Sequence, residues 1–167
     1  MTSEELIVFL DLQPLPKEGG YYRETYRSAD RCSLSSLPDR FPGGKSVSTC
    51  IYYLLTADDF SAFHRLPSDE LYHFYLGDPV ELMLLHPDGT VTTTILGQEI
   101  AQGELLQVLV PAGVWQALSL QSGGQYALMG CTVAPGFDFS DYEHGDWEQL
   151  LRQYPAQHAV IMRLTRK

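Results

Sequence analysis

Between Ser46 and Val133 the chain is a nearly unbroken succession of short apolar runs cut by turn signals. SVSTCIYYLLT, ELYHFYLG, PVELMLLHPDGTVTTTILG, ELLQVLVPAG and WQALSLQSGGQYALMGCTV are rich in β-branched and aromatic residues. Asp88-Gly89, between two such runs, is a hairpin signature, and Gly123-Gly124 suits a second tight turn. Turn signals recur about every ten residues, which points to an antiparallel sandwich, barrel or jelly roll. A chain of 167 residues is one domain by default, here residues 1–167, and can bury a substantial core.

The flanks read differently. SEELIVFLDL predicts a short helix capped by Thr2 or Ser3, with Glu4 and Glu5 at its positive end and Pro14 and Pro16 beyond it. Residues 18–28, EGGYYRETYRS, predict a strand entered through a turn at Glu18, Gly19 and Gly20. Residues 34–45 read as a loop. DWEQLLRQYP predicts a second short helix with Leu150, Leu151 and Tyr154 on its apolar side.

Charge narrows the function classes. A formal net charge of −10 repels phosphate backbones and argues against nucleic acid as a partner. The N-terminus is acidic and its apolar run short, so neither a signal peptide nor a membrane span is expected. Three cysteines without a C-x-x-C pair suit a reducing cytoplasm.

The stretch HRLPSDELYHFYLG concentrates His64, Asp69, Glu70 and His73 around one turn. A strand ending near His64 and another starting near Glu70 can aim both side chains into one barrel mouth. In a regular strand Glu70, Tyr72 and Phe74 share a face and His73 points away; a bulge near Asp69 would reverse this. Alternation places Tyr22, Glu24 and Tyr26 on one face of their strand, and Tyr21, Arg23 and Thr25 on the other. An inward Arg23 would bind a carboxylate or phosphate; outward, it would make a surface or interface ion pair.

The order and spacing of these pieces resemble the cupin superfamily. His64-Arg65-Leu66, three residues, Glu70, six residues and Gly77 follow its first motif; Pro111-Ala112-Gly113-Val114-Trp115-Gln116 follow its second. Asp58 stands where that pattern has its first glycine, and Leu66 and Gln116 stand where it has histidines. A narrower likeness, from about Gln13 to Tyr154, is to the cupin-5 group, single-domain proteins often labelled predicted sugar epimerases. The resemblance implies an all-β antiparallel jelly-roll β-barrel with short helices near both ends, and a homodimer that covers strand edges.

Loss of two of the three expected histidines leads us to expect no bound metal and no other cofactor. His64 is then the natural proton-transfer group, with Glu70 orienting it or sharing its proton. Tyr22, Tyr75 or His73 could supply the opposing acid. Gln116 could read a hydroxyl or carbonyl, and Trp115 could stack on a ring or fill the core. Cys131 sits on a probable inner strand, as a buried thiol or a pocket residue. Residues 134–145 could close the mouth, pack outside the barrel, or meet a second subunit. The expected function is a pocket for a small polar metabolite, carbohydrate or sugar-nucleotide-like, acting as a metal-independent epimerase or isomerase. The alternatives are a non-catalytic binding protein, or a metal enzyme built on His64, Glu70, His73 and Gln116.

Overall fold

A computed structural model describes residues 1–33, 37–38, 41 and 44–166, so most of the loop expected at 34–45 lies outside the described residues. In chain order the strands are β1 (Gln13–Pro14), β2 (Tyr21–Arg27), β3 (Arg31–Cys32), β4 (Lys45–Ser46), β5 (Thr49–Thr56), β6 (Phe60–Arg65) and β7 (Asp69–Gly77). They continue as β8 (Val80–Leu85), β9 (Val91–Leu96), β10 (Gln107–Val110), β11 (Trp115–Leu120), β12 (Tyr126–Ala134) and β13 (Glu143–His144). The α-helices are α1 (Ser3–Phe9), α2 (Trp147–Gln153) and α3 (His158–Arg163).

One sheet runs β1-β2-β5-β12-β7-β10 and the other β13-β6-β11-β8-β9, with β3 and β4 as a separate pair. The fold is an all-β antiparallel jelly roll. Thr2 caps α1 in a capping box with Glu5. The hairpin at Asp88-Gly89 joins β8 to β9 in register from Val80↔Leu96 to Leu85↔Val91. Helix α3, packed against α2, was not foreseen, because its six residues, HAVIMR, are too few to show a clear period.

The sheets enclose a core of Leu55, Phe74, Leu82, Leu84, Leu118 and Met129, among others. A second apolar layer, including Phe63, Trp115, Leu150 and Ile161, seats α2 and α3 on the outer face of the five-stranded sheet. The aliphatic core fills one end of the barrel. The other end is hollow.

Three irregularities of pairing decide which side chains reach that hollow. Between β6 and β11, Gln116 pairs with His64 but Leu118 pairs with Ser61, so Ala62 and Phe63 together oppose Ala117. This bulge breaks the period of two. Ser61 and His64 therefore face inward together, while Phe60 and Phe63 pack outward under the helices. On β2 the extra residue is Thr25, between Glu24 and Tyr26, so cavity-facing positions run Tyr22, Glu24, Arg27 rather than on to Tyr26. On β7 the extra residue is Tyr75, and pairing is continuous from Asp69 to Phe74. The bulge near Asp69 that would have turned His73 inward is absent.

Candidate functional site

The hollow end is a cavity of about 620 Å³, whose lining includes Glu18, Tyr22, Tyr53, His64, Glu70, Tyr72, Cys131, Phe139 and Tyr142. Its most unusual member comes from the turn before β2. Gly19 and Gly20 have φ of +104° and +73°, a region favourable only to glycine, and their backbone lies too close to neighbours for a Cβ. The Tyr53 hydroxyl donates to the Gly19 carbonyl at 2.9 Å, and the Gly20 N–H donates to Asp59 Oδ2 at 2.7 Å. The Ala62 N–H donates to the Glu18 carbonyl at 2.8 Å. Held on these sides, the turn drives the Glu18 side chain inward, where Ser61 Oγ donates to its Oε1 at 2.9 Å. Burial pushes the Glu18 carboxyl up to about 7, against smaller opposing contributions from the Ser61 and Tyr53 hydroxyls and Arg166.

His64 is buried beside it. Its Nδ1 lies 2.9 Å from the Ala62 carbonyl, which can only accept, so Nδ1 carries the proton and Nε2 keeps its lone pair. Nε2 stands 3.8 Å from Glu18 Oε2, too far for a hydrogen bond. Burial lowers the imidazole's proton affinity, partly offset by the Glu70 carboxylate and the Ala62 carbonyl. The contact is therefore a neutral base facing a carboxyl group, not a fixed ion pair. The Tyr142 ring stacks on the imidazole, centroids 5.4 Å apart at 20°.

Glu70 is also buried and its carboxyl raised, chiefly by burial, with His64 opposing and Glu18 adding to the rise. Gln116 Nε2 donates to Glu70 Oε2 at 2.8 Å, while Gln116 Oε1 has no partner among the described residues. Cys131 lines the cavity, but burial and the Glu70 and Glu18 carboxylates push its thiol well up, so it is inert there.

Six expected residues thus fall at or against the cavity: His64, Glu70, Tyr22, Glu24 and Cys131 line it and Gln116 braces Glu70; part of the 134–145 segment walls its mouth. Four expected side chains do not. His73 points outward, hydrogen-bonded to Thr132 Oγ1 at 3.0 Å and Gln107 Nε2 at 2.8 Å. Tyr75, the bulged residue, is exposed and packs edge-on against Tyr52. Arg23 lies outside as well, its guanidinium 5.6 Å from the Tyr52 ring centroid. Trp115 is buried in the helix-covered layer with Arg65 over its ring, because Gln116, its neighbour, takes the inward direction. Sequence reasoning missed Glu18 as a cavity residue and Ser61 as the group that holds its carboxyl. The one available signal was an acid immediately before Gly-Gly, where a turn tight enough to need both glycines forces its first side chain to one side.

The Cupin_5 family model, described as cupin superfamily (DUF985), matches residues 4–145. The chain is a cupin. A hypothetical protein from Leishmania major is similar over 100% of both chains, at 33% identity and a TM-score of 0.90. Protein SO0799 from Shewanella oneidensis is 36% identical, with a TM-score of 0.88, over 99% of this chain and 98% of that one. The uncharacterized yeast protein YML079W (Saccharomyces cerevisiae) is 33% identical over 135 residues, 75% of this chain and 67% of its own.

Many cupins hold a metal, but the donor set of this one does not fit an ion. Leu66 lines the cavity at a position where the motif has histidine and offers no donor, and Gln116, at another such position, offers only an amide oxygen, a weak ligand. Among the described residues no group of three or more His, Cys, Asp or Glu side chains is placed to hold a metal ion. No helix among them is long and apolar enough to cross a membrane.

Proposed function

We propose that this cupin catalyses metal-independent proton transfer on a small carbonyl metabolite of carbohydrate or sugar-nucleotide type, as an epimerase or isomerase does. The observation that carries this reading is the pairing of His64 Nε2, with a free lone pair, and Glu18 Oε2 across a 3.8 Å gap in an enclosed cavity. A base that burial keeps neutral, facing a carboxyl raised to about 7, is what such chemistry needs. The volume and lining, apolar walls with a few convergent polar groups, suit a small ligand.

In the proposed step a carbon beside the substrate carbonyl gives its proton to His64 Nε2. The C–H electron pair moves into the carbonyl, and the resulting enolate oxygen takes a proton from neutral Glu18. For the isomer, the imidazolium returns its proton to the former carbonyl carbon while the Glu18 carboxylate takes the proton of the hydroxyl on the first carbon, which becomes the new carbonyl, so both groups are restored. For the epimer, the Glu18 carboxylate takes back the enol proton and the imidazolium returns its proton to the first carbon after the enediol has turned its other face to His64. Glu70, held by Gln116, stabilises the imidazolium that forms. Tyr142 keeps the ring in plane by stacking.

Solvent deuterium wash-in on a panel of aldo- and ketosugars tests this. Exchange in the wild type that disappears in His64→Gln supports it. Clear binding by thermal shift with no exchange above background would leave a non-catalytic binding protein, a reading favoured by Leu66 and Gln116 at former ligand positions.

A further inference from the structure

Two cations line the cavity, and their circumstances differ. Arg27 is spent: it makes a two-point contact with Glu24 at 3.0 and 2.7 Å, reaches Asp138 at 3.4 Å, and donates to the Phe137 carbonyl at 2.9 Å. Lys17, exposed at the rim beside Glu18, makes no ion pair with any described residue. A free cation is notable in a chain of net charge −10, where acids outnumber Lys and Arg 21 to 11. Lys17 also has φ of +67°, a conformation costly for a side chain other than Gly, Asn or Asp. The surrounding turn imposes it: the Glu18 N–H donates to the Pro16 carbonyl at 2.8 Å and the Gly19 N–H to the Leu15 carbonyl at 3.0 Å. The turn that sends Glu18 into the cavity thus fixes the Lys17 backbone at its entrance and roots the side chain on the rim.

We propose that Lys17 binds an anionic group, carboxylate or phosphate, carried by the molecule that enters the cavity, so that the substrate is an anionic carbonyl compound. This inference rests on the function proposed above and supplies its substrate class. The interior holds His64 neutral and two carboxyl groups with raised proton affinity, so it suits the uncharged, reacting end. The anionic end then sits at the rim, outside the reach of those carboxyls. Charge–charge contact at such a partly exposed site is of the strength of a charge-assisted hydrogen bond, enough for about tenfold in affinity.

Titration calorimetry at fixed ionic strength, with glucuronate, glucose 6-phosphate and glucose as probes, tests it. Lys17→Asn keeps the left-handed conformation without the charge, and Lys17→Arg keeps the charge. At least one anionic probe should bind the wild type about tenfold more tightly than glucose does. Lys17→Asn should erase that advantage and Lys17→Arg retain most of it. Which of the two anions binds better separates carboxylate from phosphate. Equal binding of the anionic probes by wild type and Lys17→Asn, glucose binding as tightly as both, or no binding of either anion would overturn the inference. Deuterium exchange into the same probes keeps the two readings apart. Lys17-dependent binding without exchange removes catalysis and leaves the anion site. Exchange indifferent to Lys17 does the reverse.

Discussion

Glu18→Gln should make the protein more stable at neutral and alkaline pH, although it deletes a residue from the heart of the cavity. In the folded protein burial raises the carboxyl from its ordinary 4.5 to about 7. Between those values the folded state keeps the proton and the unfolded state has lost it. The folded state therefore binds more protons, and unfolding free energy falls as pH rises. The stability of the neutral form is fully present below pH 4.5 and fully lost once pH passes 7. At about 1.4 kcal/mol per pH unit, this interval corresponds to about 3 kcal/mol. Glutamine cannot ionise and still accepts from Ser61 through its amide oxygen, so the variant escapes the loss. Removing the Glu18 charge also eases ionisation of Glu70, which acts in the same direction. Urea melts of both proteins at pH 4.5, 6, 7 and 8 would show a gap that opens by about 3 kcal/mol in favour of the variant and then stays level. In thermal melts this is roughly 6–12 °C. A gap that is constant over the whole range would mean that Glu18 ionises as an ordinary carboxylate, and the acid half of the proposed mechanism would go with it.

His64→Gln should lower substrate deuterium exchange by roughly 10²–10⁴-fold, whereas His73→Ala, on the outer face, should leave it within about twofold; mass spectrometry of the recovered sugar reads both. Gly20→Ala puts a Cβ at φ +73° and 2.7 Å from the Leu54 carbonyl oxygen, and should cost about 1–3 kcal/mol in a urea melt. Lys45 is nearly fully buried, with its Nζ 2.6 Å from Asp141 Oδ1 and 2.9 Å from Asp138 Oδ2. Lys45→Met strands the buried Asp141 carboxylate and should destabilise by about 3–5 kcal/mol. Amide exchange should quicken first in residues 137–142, which wall the cavity mouth.

Apolar runs cut by turn signals were enough to place the strands, because nearly every residue of β8 or β12 is at least partly buried and repeats the same message. For His73 strand alternation pointed outward, against its candidacy as the opposing acid, and alternation prevailed: a regular Asp69–Phe74 strand turns Glu70 inward and His73 outward, and the pairing with β12 is regular there. The pattern fails at single extra residues. Thr25 shifts the inward face of β2 by one, which brings Arg27 rather than Tyr26 to the cavity. The extra residue on β6 lets Ser61 and His64, three apart and so expected on opposite faces, meet Glu18 together. A bulge has no residue signature of its own in this stretch, FSAFHR, since its cause is the packing of Phe60 and Phe63 beneath the helices, contacts made with residues about ninety positions further on. Glu18 is hidden for a related reason. Its direction is dictated by Tyr53, Asp59 and Ala62 reaching the turn from β5, β6 and the loop joining them, none of which local composition can register. What remains of the family motif, His64 and Glu70, therefore identifies only half of the proposed acid–base pair. The other half arrives from a turn whose glycines, read alone, say no more than that the chain reverses there.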